Sequence, residues 1–331
     1  MDKKFKRKIR LLLLLIFMTS LYLSTATYAW FSVNRIVYIS ELSIKVQAQG
    51  GIEISTDGIN FKTIITQADI IEANKTYPTS VNQLPLTMEP VSTAKIVKDG
   101  KLQMYYGYTE NSGNDYILLA NQSIEEEGSG EESNGKFMAF DIFLKADNPT
   151  QLYLANTSGA TYEGTTPGIE NSVRYAFLVE GNAQITDNYQ VIQGLNNATE
   201  DTTYIWEPNF DSHSLNGIGN AASVYGIIVE ESGSKQVSYD GLISNITRND
   251  NVKLHKANAT NYPNLFKNVN VDYKTPSNFS EYENLEVFSL ERGITKVRVY
   301  IWIEGQDVDC ENNSAVGDIY FNFQFTTNPS E

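Results

Sequence analysis

Two stretches near the C-terminal end constrain the fold most. In Lys296 to Glu304, Val297, Val299, Ile301 and Ile303 alternate with Lys296, Arg298, Tyr300, Trp302 and Glu304. In Ile319 to Thr326, Ile319, Phe321, Phe323 and Phe325 alternate with Tyr320, Asn322, Gln324 and Thr326. A period of two places one set on a core face and the other on an outer face, so both read as amphipathic strands, expected to form a hairpin. Burying such large side chains at about 1.5–3 kcal/mol each makes this pair a principal source of stability before chain entropy is subtracted. Lys136 to Lys145 (KFMAFDIFLK) is apolar on both faces and reads as a central strand, with Gln151 to Ala155 expected beside it. The single cysteine, Cys310, excludes an intrachain disulfide, and it reads as a small buried residue at a strand end.

Further strands are expected at Val37 to Ala48, Ser172 to Glu180 and Val224 to Glu230. Asp57-Gly58 and Asp99-Gly100 supply the positive-φ pairs of tight hairpin turns. Ala68 to Asn74, Tyr239 to Ile246 and Leu285 to Leu290 read as short helices, the last stopped at Gly293, and Asn209 to Asn220 as a surface loop. Asn121 to Gly135 is rich in glutamate and glycine and reads as a solvated acidic loop. The fold class is therefore all-β: a jelly-roll-like two-sheet sandwich with short helices and long polar loops, one domain over 30–331.

That domain follows a different kind of segment. Six basic residues among the first ten precede an uncharged run from Leu11 to Phe31. The pattern is that of an export signal, with Thr27-Tyr28-Ala29 giving small residues for signal peptidase and a cut between Ala29 and Trp30. The run also has the length of a membrane span, so a retained anchor helix over 1–29 is the other outcome. Either way the remainder faces outward, at the cell surface or outside the cell.

The TATYAWF junction resembles the start of the TasA/camelysin group of Gram-positive surface proteins. More broadly the chain is similar to Gram-positive secreted proteins that join an AWF start (Ala29 to Phe31), an EISTDG segment (Glu53 to Gly58) and a VYIWIEGQDVDCEN segment (Val299 to Asn312). The resemblance implies a jelly-roll subunit of an extracellular fibre or biofilm matrix, with signal peptidase and envelope or matrix components as partners. It also implies, for the camelysin branch, metalloprotease activity. The zinc motif expected for that is missing, because His213 and His255 lie in no His-Glu-x-x-His.

After cleavage, 19 basic and 39 acidic residues would remain, a formal charge of −20. Nucleic acid is excluded as a partner, and divalent cations or a basic surface fit better. Asp307, Asp309, Glu311 and Asp318 fall at the first, third, fifth and twelfth places of a calcium-loop pattern, although Asn312 stands where the glycine belongs. Calcium is thus the one cofactor weighed, against a plain solvated loop. Tyr300 and Trp302 are candidates for a sugar-stacking platform.

Leu42, Ile44 and Val46 mark Val37 to Ala48 as a strand that becomes a free end after the cut at Ala29, able to pair with the sheet edge of another copy. The leading expectation is an exported structural protein that self-assembles, with no enzymatic role. The alternatives are an adhesin or carbohydrate-binding module and, third, a secreted hydrolase. No serine-hydrolase elbow or phosphate-binding loop supports the last.

Overall fold

The computed structural model of the chain describes residues 37–47, 51–80, 82–113, 115–125, 135–155, 157–163, 168–209, 212–220, 240–253, 264–269, 271, 285–310 and 318–328, together with Lys8 and Leu12. Ala29, Trp30, Glu311, residues 126–134 of the acidic segment and the strand expected at Val224 to Glu230 lie outside these residues. Among the described residues no helix is long and apolar enough to cross a membrane.

The fold is all-β, but its described strands lie in three layers instead of the two-sheet sandwich expected, because the middle strands are apolar on both faces. The front sheet has the order β17 (Leu285–Leu290), β10 (Thr150–Leu154), β19 (Asp318–Thr326), β1 (Val37–Gln47), β3 (Ile64–Thr66). In addition, β11 (Gly159–Glu163) pairs with β19 and β5 (Thr87–Met88) with β1. The middle sheet runs β13 (Thr203–Trp206), β12 (Val173–Ala183), β18 (Gly293–Ile303), β9 (Met138–Ala146), β2 (Ile52–Ser55), with β4 (Asn82–Gln83) also on β9. The back sheet is β15 (Val252–Lys253), β8 (Asp115–Ser123), β7 (Lys101–Ser112), β6 (Ser92–Lys98). A small pair, β14 (Asp240–Leu242) and β16 (Phe266–Asn268), lies against β6. Among the described residues, the short helices α1 (Gln67–Glu72), α2 (Tyr189–Gln193) and α3 (Leu215–Asn220) connect strands.

Alternation on the middle strands generates two cores. Phe140, Ile142 and Leu144 of β9, Tyr175 and Phe177 of β12, and the Val297 to Ile303 set of β18 pack against Phe321, Phe323 and Phe325 of β19. The opposite faces contribute Ala139, Ala176, Leu178, Tyr300 and Trp302, which pack with Leu102 and Met104 of β7. Every residue of β18 is consequently buried. The central position read for Lys136 to Lys145 holds, as does Cys310, which is buried in the front core.

Several expectations are corrected. β18 and β19 do not pair as a hairpin: each turns its alternating apolar set toward the same core from a different sheet. β10 pairs with β17 and β19, not beside β9. Leu285–Leu290 is a strand, because Val287, Phe288 and Leu290 are needed on the front core, and Gly293 opens β18 instead of stopping a helix. Asp240–Leu242 is likewise a strand. The acidic segment starts late, since Asn121 to Ser123 complete β8 and Glu125 is buried.

Tyr300 and Trp302 are fully buried, so they form no exposed platform. Tyr300 donates its hydroxyl hydrogen to Glu125 Oε2 (2.7 Å), and Trp302 Nε1 donates to Glu304 Oε2 (3.0 Å). The charged residues of β18 are also inside. Arg298 is the direct cross-strand partner of Asp141 and holds it through Nε at 2.8 Å, while Lys296 Nζ lies 3.3 Å from the same carboxylate. Burial would raise Asp141, but Arg298 and Lys296 outweigh it and hold the carboxyl down at about 2.

The Asp99-Gly100 turn is as read, with φ of 53° and 67° at its two residues joining β6 to β7. The other turn is wider. Ile54 bridges to Lys62, and Asp57 caps the intervening loop by accepting from the backbone of Ile59 and Asn60, both at 2.8 Å.

Candidate functional site

At the end of the middle sheet where β12 begins and β13 and β18 finish, five ionisable side chains converge. Arg174 is the second residue of β12, Glu207 follows β13, and His213 precedes α3. Asp307 and Asp309 come from the segment after β18. All five are buried, and the side chain of His213 is wholly enclosed.

The hydrogen bonds fix the geometry. Arg174 donates from Nη2 to Asp307 Oδ2 and lies 2.7 Å from Glu207 Oε1, while Nη1 donates to the carbonyls of Asn171 and Val173, each at 3.1 Å. Asp307 Oδ1 accepts from Ser172 Oγ (3.2 Å) and from the backbone N–H of Asp309 (2.8 Å). Asp309 Oδ2 accepts from Asn171 Nδ2 and pairs with His213 Nδ1, both at 3.0 Å, and its carboxylate also receives the Ser214 N–H. Gly217 of α3 is packed so close to this segment that a Cβ there would sit 2.6 Å from Asp309 Oδ1 and from the Val308 carbonyl. These contacts are local consequences of small and polar residues at loop ends, where they replace the pairing that the strands no longer provide.

The electrostatics follow from burial and proximity. Burial by itself lowers the His213 pKa, but Asp307, Asp309 and Glu207 outweigh it and push it up to about 10, so the isolated cluster holds a proton on the imidazole. Asp309 moves the other way: burial raises it, and the bonds from His213, Ser214 and Asn171 bring it below the usual carboxylate range. Glu207 Oε1 and His213 Nε2 face one another at 3.4 Å, and neither completes a hydrogen bond. The contact from Arg174 to that oxygen is close but poorly aligned.

Glu207, His213 and Asp307 bring one ligand atom each within 4.8 Å of one another, the geometry of a metal-binding group. This differs from both readings of the spacing, a calcium loop and a plain solvated loop, since Asp307 and Asp309 are buried. Asp307 and Asp309 turn inward to Arg174 and His213, Asp318 opens β19, and Glu311 lies outside the described residues. Sequence reading missed Arg174, Glu207 and His213. The one available signal was a histidine within an Asn- and Ser-rich stretch taken for a surface loop.

Leu42, Ile44 and Val46 fall on β1, in register with Phe321, Phe323 and Phe325 of β19. β1 runs parallel to β19 and antiparallel to β3 and β5, so it lies inside the front sheet and is not an edge strand. Elsewhere, a cleft of about 590 Å³ is lined by Ile59, Phe61, Lys145, Ile185 and Tyr189 among others. No protein-family model matches this chain, and neither the curated proteins nor the solved structures contain a match.

Proposed function

We propose that this chain is exported, is cut between Ala29 and Trp30, and serves as a structural, non-enzymatic subunit of the cell surface or extracellular matrix. In this reading it is a jelly-roll-like body that joins copies through β1. The observation that carries the proposal is the position of β1. It is the first strand after the export stretch, and it fills a slot between β19 on one side and β3 and β5 on the other. The next strand, β2, belongs to the middle sheet, and Gly51 just before it has a φ of 80°. A strand that follows the cut end can leave its slot and be replaced by the same strand of another copy, which restores every ladder hydrogen bond. Donor and acceptor are different surfaces, so repetition builds a filament.

Secreted protein is expected to begin at Trp30 by mass spectrometry and to form ordered filaments by electron microscopy. A synthetic peptide covering residues 37–47, added in excess, should cap their growth by occupying the slot. Protein that stays monomeric at high concentration, with or without preformed seeds, would overturn the reading, and a full-length chain found in the membrane would replace cleavage with a retained anchor. The adhesin alternative is favoured by the cleft beside Tyr189, where exposed Ile59, Ile185 and Tyr189 supply apolar contacts to a small ligand.

A further inference from the structure

We infer that Glu207, His213 and Asp307 form a binding site for a zinc-class divalent metal ion, which clamps the loops after β13 and β18 together. Three independent features lead there. The first is a facing pair: His213 Nε2 and Glu207 Oε1 are completely buried, 3.4 Å apart and without a completed hydrogen bond, the Glu207 oxygen being ion-paired to Arg174 at 2.7 Å. Buried polar atoms in that state are uncommon, and an unfilled ligand site is one of the few arrangements that explains them. The second is the support behind the ligands. Asp309 holds His213 through Nδ1, which leaves Nε2 as the coordinating nitrogen, and Asp307 is oriented by Ser172 and by the Asp309 N–H. A carboxylate behind a histidine ligand is the usual means of fixing its tautomer and ring orientation. The third is charge. With a neutral imidazole ligand, three carboxylates and one guanidinium leave two negative charges in a dry site, and one divalent ion cancels them.

The donor set selects the metal. An imidazole nitrogen with two carboxylates suits zinc and its first-row neighbours, whereas calcium and magnesium prefer oxygen alone. Arg174 Nη2 bridges the Glu207 and Asp307 oxygens. The ion takes over that bridge, and Arg174 keeps its Nη1 bonds to the Asn171 and Val173 carbonyls. All ligands are enclosed, so the ion's role is structural. The site stands independently of any assembly through β1.

The test is titration of the full chain, stripped with chelator, by Zn²⁺ in a calorimeter and by Co²⁺ with visible absorption. One ion per chain is expected, with low-symmetry cobalt bands, X-ray absorption showing nitrogen and oxygen neighbours, and a higher melting temperature with Zn²⁺. His213→Gln and Glu207→Gln should each weaken binding by more than about 100-fold, while Asp187→Asn, far from the site, leaves it unchanged. Glu207→Gln preserves the side-chain shape, so it remains informative if His213→Gln does not fold. Absence of binding by the full chain, sulfur from Cys310 among the neighbours, or equal affinity in either Gln variant overturns the assignment.

Discussion

Glu180 sits inside the back core of the middle sheet with one oxygen, Oε2, accepting the Ala198 N–H, and the other without a hydrogen bond. Burial pushes its carboxyl up to about 7, although Arg298 and Lys296 pull the other way. The folded value lies above the unfolded one, so the stabilisation is fully present below the ordinary glutamate value of about 4.3. It is lost as pH rises through about 7, by something on the order of 3 kcal/mol. Glu180→Gln should therefore raise the melting temperature relative to the native chain at about pH 8 and bring little gain at about pH 4. Calorimetry at the two pH values is the check, and an equal shift at both would show that the carboxyl is not the responsible group. Gly217 makes a separate prediction. Ala in its place would drive a methyl group into the Asp309 carboxylate and the Val308 carbonyl, at a cost of about 1–3 kcal/mol in denaturant melts. A neutral result would mean that α3 can slide away from the 307–309 segment.

Among the elements, β18 joins the two cores and carries its charges inside. Asp141→Ala would remove the carboxylate that Arg298 and Lys296 share, leaving Arg298 the more distant Glu125 at 3.6 Å, an expected loss of about 3–5 kcal/mol by urea unfolding. Combining Asp141→Leu with Arg298→Met should cost less than the sum of the two single changes, since the apolar pair removes carboxylate and guanidinium together and leaves Lys296 its bonds to the Gln193 and Leu195 carbonyls. Additive costs would place the strength of this contact elsewhere. The same strand explains what the sequence could and could not convey. Period two identified β18, β19 and β9 as strands, because alternation is a local property of the chain. The environment of Lys296, Arg298 and Glu304 is not local: a charged residue on the second face looks solvated until its partner on another strand is known, and Asp141 lies far away in sequence. For β19, the half-exposed Tyr320, Asn322 and Gln324 matched the pattern because no layer among the described residues covers that face. Asp307 stood out by its acidic spacing, but its meeting with Arg174, Glu207 and His213 was illegible for the same reason as Asp141. Those three are ordinary in their own segments, and only the convergence of three strand ends gives them a common chemistry with Asp307.

At the scale of the whole molecule, the first and last described strands lie side by side, and that adjacency makes assembly through β1 testable without removing the strand. Deleting β1 would leave the long edge of β19 unpaired, so loss of filaments in a truncated chain would be hard to separate from loss of the fold. Locking β1 in place avoids this. Lys45 and Gln324 are partners in the parallel register, and neighbouring strands are about 4.8 Å apart, within the range of roughly 4.4–6.8 Å between Cα atoms that a disulfide spans. The chain's single cysteine, Cys310, is buried, so a Lys45→Cys, Gln324→Cys pair has little competition for its bond. Oxidised, this variant should fold, melt at a higher temperature than its reduced form, and remain monomeric, because its own strand can no longer leave the slot. Reduced, it should polymerise like the native chain and accept the residue 37–47 peptide. Filaments formed by the oxidised variant at the native rate would rule out exchange of β1 as the means of assembly, since a strand tied to its own β19 cannot serve another copy.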